Sequence, residues 1–353
     1  MAKNKTLLKR VLWSVVFLAL AVATVAIVTA QDEDFSFDSF WKCLLEANPF
    51  WLAGAFVCMI GFVYFEGHAI SYLCRFSGGS VRKRRGFTYA SFDIYFSAIT
   101  PSATGGQPAA AIAMMKDGVP AAATTMALLM NLMMYNVSLI VLALFCFIAC
   151  PAVYQHFDTL ARVLIWAGIA TQAVMMLLFF LLVFYSPLVL RIARWGLNIL
   201  TKLRLIKDAE KRQESLEKMA VEYRSCTQSI WHKPKTLLYT FFLNFMQRIS
   251  HLGVTLCVFM ALGGKLRNLL EVFTLQGFAV LGSNSVPIPG AVGVADYMFI
   301  NGFTPLLGKE NVIHMVLLTR GISFYLCLVM CGVTILLHYI RHYLKKQTKK
   351  ELS

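Results

Sequence analysis

The sequence predicts an all-α integral membrane protein, a polytopic helical bundle with about six full crossings plus two re-entrant hairpins in an inverted repeat. Of its 353 residues, 58% are hydrophobic and 14% are charged, and the mean hydropathy is +0.65. A water-soluble domain of this size does not bury so much apolar surface. Uncharged apolar stretches of membrane-crossing length recur along the chain, and basic residues cluster at their ends.

Seven apolar segments are the clearest membrane helices, since each offers roughly 20 residues with few charges. They begin near Val11, Pro49, Val119, Leu160, Thr236, Leu269 and Val312. The first, Val11 to Ala30, follows basic residues in the order of a signal peptide. Its apolar part is long for a signal peptide and its end is a weak cleavage site, so we expect a retained helix.

The distribution of Lys and Arg assigns sides to the loops, because basic loops stay in the cytoplasm. The basic segments are the N-terminus, residues 75–85, a connector at 191–235 and the tail at 341–350. The acidic segment 32–46 and the nearly uncharged segment 150–159 are then outside. We therefore expect a multi-pass protein of the cell (plasma) membrane with both termini cytoplasmic. These cytoplasmic basic segments account for the net charge of +15, so no nucleic-acid partner is needed to explain it.

Termini on the same side require an even number of crossings. With residues 87–117 as an eighth candidate beside the seven clear segments, two candidates must turn back for the loops to keep their sides. If residues 87–117 crossed once, every later loop would change sides, and this segment is therefore expected to re-enter from the cytoplasm. The same logic makes residues 269–309 a hairpin from the outside. The halves 1–150 and 160–341 of a single transmembrane domain, 1–353, then match upside down. Ordinary surface loops between short helices are the alternative interpretation.

Each predicted hairpin contains a segment that interrupts helix, Thr100 to Pro108 in the first and Ser283 to Gly290 in the second. Proline removes a backbone donor and restricts the residue before it, so neither segment continues a helix throughout. Broken segments at corresponding positions of inverted halves point to a transporter binding site near the bilayer midplane.

Ionisable side chains within apolar segments are costly, so each is a functional candidate. They are Glu66, His68, Asp93, Arg248, Asp296 and Arg320. For Glu66 and Asp93, the competing explanation is an interfacial ion pair with Arg75 or with the basic run 82–85. Asp296 and Arg320 are expected either to neutralise each other or to face a charged headgroup. Arg248 offers planar donors suited to phosphate.

The breaks add polar groups and backbone to the predicted substrate site. The first supplies a cradle for phosphate or hydroxyls, with backbone amides around its glycine pair. The second supplies one amide side chain and a rigid turn. The residues concerned are Thr100, Ser102, Thr104, Gly105, Gly106, Gln107, Asn284, Pro287, Pro289 and Gly290. No enzyme or metal motif is present, so we predict no catalytic residue, no metal and no cofactor.

The two breaks resemble a known family. They read Thr-Pro-Ser-Ala-Thr-Gly-Gly-Gln-Pro (100–108) and Pro-Ile-Pro-Gly-Ala-Val-Gly-Val-Ala-Asp (287–296), and Arg320 follows. They look like signature segments of the lysylphosphatidylglycerol synthase transmembrane region family, the flippase part of the multiple peptide resistance factor. The resemblance covers nearly the whole chain. In one departure, Asp296 stands where relatives commonly carry Glu.

The resemblance implies a lipid flippase that moves aminoacylated phosphatidylglycerol, or a related lipid, between leaflets. A separate synthase makes that lipid in the family, and we expect transport here without the transferase chemistry. A membrane enzyme of the phosphatidylglycerol lysyltransferase or lipid-linked glycosyl transfer type, or a non-transporting scaffold, remains an alternative. The expected partners are membrane phospholipids and a separate synthase, with no nucleic acid and with a homodimer left open.

Overall fold

The computed structural model describes residues 37–82, 84–100, 103–185, 191, 195, 233–286 and 288–351. The predicted helix from Val11 to Ala30 and nearly all of the connector 191–235 lie outside these ranges. So do Ser102 and Pro287. Within the described ranges every regular element is helical.

The main helices follow one another with short connections. They are α1 Phe37–Glu46, α2 Pro49–Phe76, α3 Arg85–Ile99, α4 Gly106–Lys116, α5 Ala121–Ala149, α6 Thr159–Phe184, α7 Pro234–Ala261, α8 Leu269–Ser283, α9 Val294–Leu307, α10 Lys309–Arg320 and α11 Cys327–Glu351. Short 3-10 turns lie at Pro151–His156, Leu266–Asn268 and Pro289–Ala291, and a π-helix at Gly321–Leu326 joins α10 to α11.

The long helices begin where local sequence favours a start. Asn48 accepts a hydrogen bond of 3.0 Å from the Phe50 amide, and Pro49 occupies the first turn of α2. Asp158 caps α6 by accepting from the Ala161 amide at 2.8 Å. A side-chain acceptor at the cap and proline in the first turn both suit the unpaired amides of a helix start.

Four helices of the described part are long and apolar enough to cross a membrane: α2, α5, α6 and the continuous run Lys309–Arg341. Many large apolar side chains on them face outward, among them Val163, Trp166 and Leu177 of α6. Such an apolar outer surface is expected where helices face the hydrocarbon core of a bilayer. The predicted class, an all-α polytopic membrane protein, is confirmed. The number of crossings, their sides and the division into inverted halves stay predictions.

Both predicted hairpins consist of two short helices in contact with each other, α3 with α4 and α8 with α9. The interruptions are where the sequence predicts them, with one difference at the first. Helix α4 already begins at Gly106, so Gln107 and Pro108 belong to its first turn. Proline is compatible with that position because the first-turn amides have no partner within the helix.

Helices α2 and α7 pack against each other along the centre of the bundle, and α3 packs on α2. The α2–α3 contact depends on two glycines that bring backbone to backbone. A Cβ atom added at Gly86 would lie 2.1 Å from the Gly67 carbonyl oxygen and 2.2 Å from the Ser71 hydroxyl. Small residues permit this approach between membrane helices.

Substituting Gly86 with alanine tests this packing. Because the added methyl group meets backbone, we expect Gly86→Ala to lower stability by about 1–3 kcal/mol, as overpacking typically does. Thermal unfolding of the purified protein in detergent measures the effect. Gly332→Ala is the control, since its Cβ would lie at an ordinary 3.4 Å from the Tyr95 ring. Equal melting temperatures for the two variants would contradict the close approach.

Candidate functional site

Two buried carboxyl groups meet where α2 and α3 cross. Glu66 of α2 and Asp93 of α3 are 7% and 5% exposed, and their side chains are within hydrogen-bonding reach of each other. Gln247 Nε2 of α7 donates to Glu66 Oε2 at 2.8 Å. Gln107 Nε2 of α4 donates to Asp93 Oδ2 at 2.5 Å. The acids are thus held by amides from two other helices.

The basic residues that were the alternative partners of the two acids have other contacts. Arg75 donates its Nε to the Ser71 carbonyl at 3.1 Å. Arg85 forms its salt bridge with Asp117 at 2.9 Å. Among the described residues, no salt bridge joins Glu66 or Asp93 to Arg75 or Arg85.

Asp296 and Arg320 organise the second break. Arg320 Nε donates to Asp296 Oδ1 at 2.6 Å, and Arg320 Nη1 donates to the Gly290 carbonyl at 3.2 Å. Asp296 Oδ2 accepts from the Gly293 amide at 3.0 Å, at the start of α9. Asp296 is fully buried, so its charge requires this pairing. Of the two predicted roles, mutual neutralisation is confirmed. It engages Nε of the Arg320 guanidinium, while Nη1 binds the Gly290 carbonyl.

The turn between α8 and α9 has backbone that few residues tolerate. Gly290 and Gly293 have φ angles of 61° and 83°, and Ala291 has 50°. The first break contains one such residue as well, Ala103 at 55°. A positive φ at a residue with a Cβ stores strain, which is concentrated at functional sites in many proteins.

Arg248 lies near the middle of α7 among aromatic rings. Its Cζ is 5.1 Å from the Phe62 centroid and 4.6 Å from the Tyr135 centroid. The side chain is 7% exposed, and its Nε has no hydrogen-bond partner among the described residues. His251, one turn further along α7, interacts electrostatically with both Arg248 and Arg320. A buried guanidinium stacked on rings is well placed to present donors to an anion.

The first break is closed by its own side chains. Thr100 Oγ1 donates to the Phe96 carbonyl at 2.6 Å and accepts from the Gly105 amide at 2.9 Å. The prediction of free amides around the glycine pair is therefore wrong for Gly105. Gly106 is needed for a close contact, because its Cβ would lie 2.2 Å from Asp93 Oδ1. Thr104 is exposed.

These parts form one polar region in the bundle interior. Helix α3 contacts the turn Pro289–Ala291, so the two hairpins touch. Glu66 interacts electrostatically with Arg248. The π-helix begins directly after Arg320, and π-helical turns are frequent at functional sites. Several side-chain atoms of this polar region lack hydrogen-bond partners among the described residues: Gln107 Oε1, Gln247 Oε1, Arg248 Nε, Thr319 Oγ1 and Arg320 Nη2.

The predicted site residues fall into three groups. Those that the structure brings together are Glu66, Asp93, Gly106, Gln107, Arg248, Gly290, Asp296 and Arg320. Thr100 and Gly105 instead close the first break, and Asn284 follows the end of α8. Pro289 is described in its backbone alone. Sequence reasoning missed Gln247 and His251, which the segment Gln247-Arg248-Ile249-Ser250-His251 contains.

A groove of about 450 Å³ opens at the end of α2 beside the start of α7. It is lined by His68, Tyr72, Arg75, Phe76 and Tyr239. The Tyr239 hydroxyl and His68 Nε2 are 3.2 Å apart, and Lys233 Nζ lies 5.2 Å from the Phe76 centroid. Aromatic and basic side chains together are typical of the lipid headgroup level. No group of three or more His, Cys, Asp and Glu side chains that could hold a metal occurs in the described ranges.

In the comparisons with known proteins, the family described as "Lysylphosphatidylglycerol synthase TM region" matches residues 14–331, nearly the whole chain. No curated protein and no solved structure matches the chain.

The Asp296–Arg320 pair yields a prediction on stability. Removing one partner leaves a buried charge uncompensated, so Asp296→Asn and Arg320→Gln should each destabilise the fold by about 3–5 kcal/mol. The double variant should lose less than the sum of the two, because it leaves neither charge alone. Denaturant unfolding of the four proteins in detergent measures this coupling. Additive losses would show that the two side chains do not depend on each other.

Proposed function

The chain belongs to the lysylphosphatidylglycerol synthase TM region family, and on that premise we propose that it is a lipid flippase. Its substrate is a phospholipid with a polar headgroup, such as an aminoacylated phosphatidylglycerol. The headgroup passes through the polar region between the two hairpins while the acyl chains stay in the surrounding lipid. The observation that carries this proposal is a set of buried polar atoms on α4, α7 and α10 that have no hydrogen-bond partner among the described residues.

The charges of this region suit a phospholipid headgroup. Arg248 Nε and Arg320 Nη2 lack partners in the part of the chain that the structure describes, and both guanidinium groups interact electrostatically with His251. Guanidinium groups bind the phosphodiester that every phospholipid carries. Buried donors without partners cost free energy, so a ligand or water that satisfies them is favoured.

The order of the helices supports transport by two inverted halves. Helices α2 and α7 have 28 residues each, both begin with proline, and both precede a hairpin. The first limbs of the hairpins, α3 and α8, have 15 residues each. In inverted-repeat transporters the substrate site lies between such repeats near the midplane. The contact of α3 with the turn Pro289–Ala291 supports that location here.

The groove beside α2 and α7 supplies a route to the site from one leaflet. It lies on the side predicted to be cytoplasmic, because it includes Arg75 of the basic segment 75–85. Its aromatic and basic lining suits a headgroup at the interface, with the acyl chains alongside α2. Glu66 lies further along the same helix, so α2 connects the groove to the central acids.

Leaflet exchange of fluorescent phospholipids in proteoliposomes tests the proposed function. Three lipids are compared: a lysyl-modified one, an anionic one and a polyprenyl phosphate. Exchange of any of them above the rate in protein-free vesicles would support a flippase and identify its headgroup class. If none of the three exchanges faster than in protein-free vesicles, transport is excluded for these headgroups.

Arg248→Gln is expected to slow exchange of the transported lipid. A hydrogen bond to a charged group contributes about 1.5–3 kcal/mol, so its loss predicts a rate about tenfold to a hundredfold lower. Arg267→Gln is the matched control, since it makes the same chemical change at an exposed position. Unfolding midpoints of both variants identify a loss that comes from misfolding. Equal exchange rates for a folded Arg248→Gln and the control would refute the role of Arg248.

A further inference from the structure

The contact between Glu66 and Asp93 has an electrostatic cost that the headgroup site does not explain. Both side chains are at least nine-tenths buried, and their carboxyl groups are within hydrogen-bonding reach of each other. An ionised carboxylate can only accept hydrogen bonds and has no proton to donate. Two ionised carboxylates in contact repel, and a buried carboxyl pair of this kind shares one proton.

A count of charges gives the same result. Asp296 and Arg320 neutralise each other through the 2.6 Å salt bridge. Among the described residues, Glu66, Asp93 and Arg248 remain as the interacting charged groups of the centre, and two acids against one base leave a net charge of −1. An unbalanced buried charge is strongly unfavourable. One further positive charge at the acids removes it.

Gln247 supplies a second, independent observation. The side chain is 2% exposed and donates to Glu66 Oε2, while its Oε1 has no partner among the described residues. The free group beside the acids is thus an acceptor that lacks a donor. An open acceptor next to the acids is a place where a water that delivers the proton can donate a hydrogen bond.

We propose that the Glu66–Asp93 pair is a proton-binding site and that its occupancy is coupled to lipid movement. The coupling to lipid movement rests on the proposed flippase function, whereas the proton site does not. In the step, one carboxylate of the pair takes up a proton to become a carboxylic acid, which donates a hydrogen bond to the other carboxylate.

Arg248 links the proton to the substrate. It balances part of the charge of the acids, and it is also the guanidinium assigned to the headgroup phosphate. When a phosphate takes up that positive charge, the acids lose their counter-ion and bind a proton more tightly. By linkage, a bound proton strengthens phosphate binding to the same degree. Lipid and proton are therefore expected to move together, in the same direction.

Other titratable groups face the pair from the helices around it, and they matter for the pH dependence. Helix α7 contributes Arg248 and, beyond it, His251, while α11 contributes two thiols. The groups that interact with Glu66 or, in the case of His251, with the arginines are Arg248, His251, Cys327 and Cys331. None of these four side chains is a carboxylate, so none of them replaces Glu66 or Asp93 in sharing the proton.

Infrared spectroscopy of the purified protein tests the proton site without any transport assay. A protonated carboxylic acid has a C=O stretch at higher frequency than a carboxylate. We expect this band at neutral pH in the unmodified protein and its loss in Glu66→Gln and in Asp93→Asn. Glu46→Gln, which changes an exposed acid of α1, should retain it. Absence of the band in the unmodified protein, or its persistence in both site variants, overturns the proton site.

Lipid exchange under an imposed pH difference tests the coupling. Occupancy of a single proton site changes by up to about tenfold per pH unit, so the exchange rate should change by up to that factor and lose its dependence when a protonophore is added. Glu66→Gln should abolish the pH dependence. Exchange that ignores pH and follows a sodium gradient, or follows no gradient, overturns the coupling. If no lipid exchanges at all, the proposed function and the coupling both fail, and the infrared band still decides the proton site.

Discussion

Every break in a helix within an apolar bundle exposes backbone groups that the protein itself must satisfy. This constraint explains the polar residues that lie at the two breaks. Thr100 closes the first break by bonding the Phe96 carbonyl and the Gly105 amide. Asp296 and Arg320 close the second by binding Gly293 and Gly290. At the second break, the residues that hold the turn together are thus the ones that a search for buried charges identifies first.

The same constraint separates structural from functional polar groups. Asp296 has all its charge compensated, so its role in holding the turn needs no ligand. Arg248 and Gln247 are as buried as many core residues, yet each has an atom without a partner among the described residues. The proposed headgroup site uses the free donor of Arg248, and the proposed proton site lies beside the free acceptor of Gln247.

The sequence predicted the helical membrane class, the positions of both breaks and the central charged residues, because charge and proline within apolar segments have few explanations. It did not predict that Glu66 and Asp93 meet, since they lie on different helices and no spacing rule relates them. Gln247 was missed because an amide in a membrane helix is commonly structural. Gly105 was assigned a free amide because Thr100 reaches back along the chain, a contact that the motif alone does not reveal.

Labelling of single cysteines from each side of the membrane tests most directly whether the hairpins come from opposite sides. Lys116, at the end of α4, and Lys309, at the start of α10, are exposed. In a background without the nine native cysteines, each position is changed to Cys and treated with an impermeant reagent in vesicles of both orientations. The account predicts labelling of position 116 from the cytoplasmic side only and of position 309 from the outside only. Labelling of both from one side would contradict the inverted arrangement.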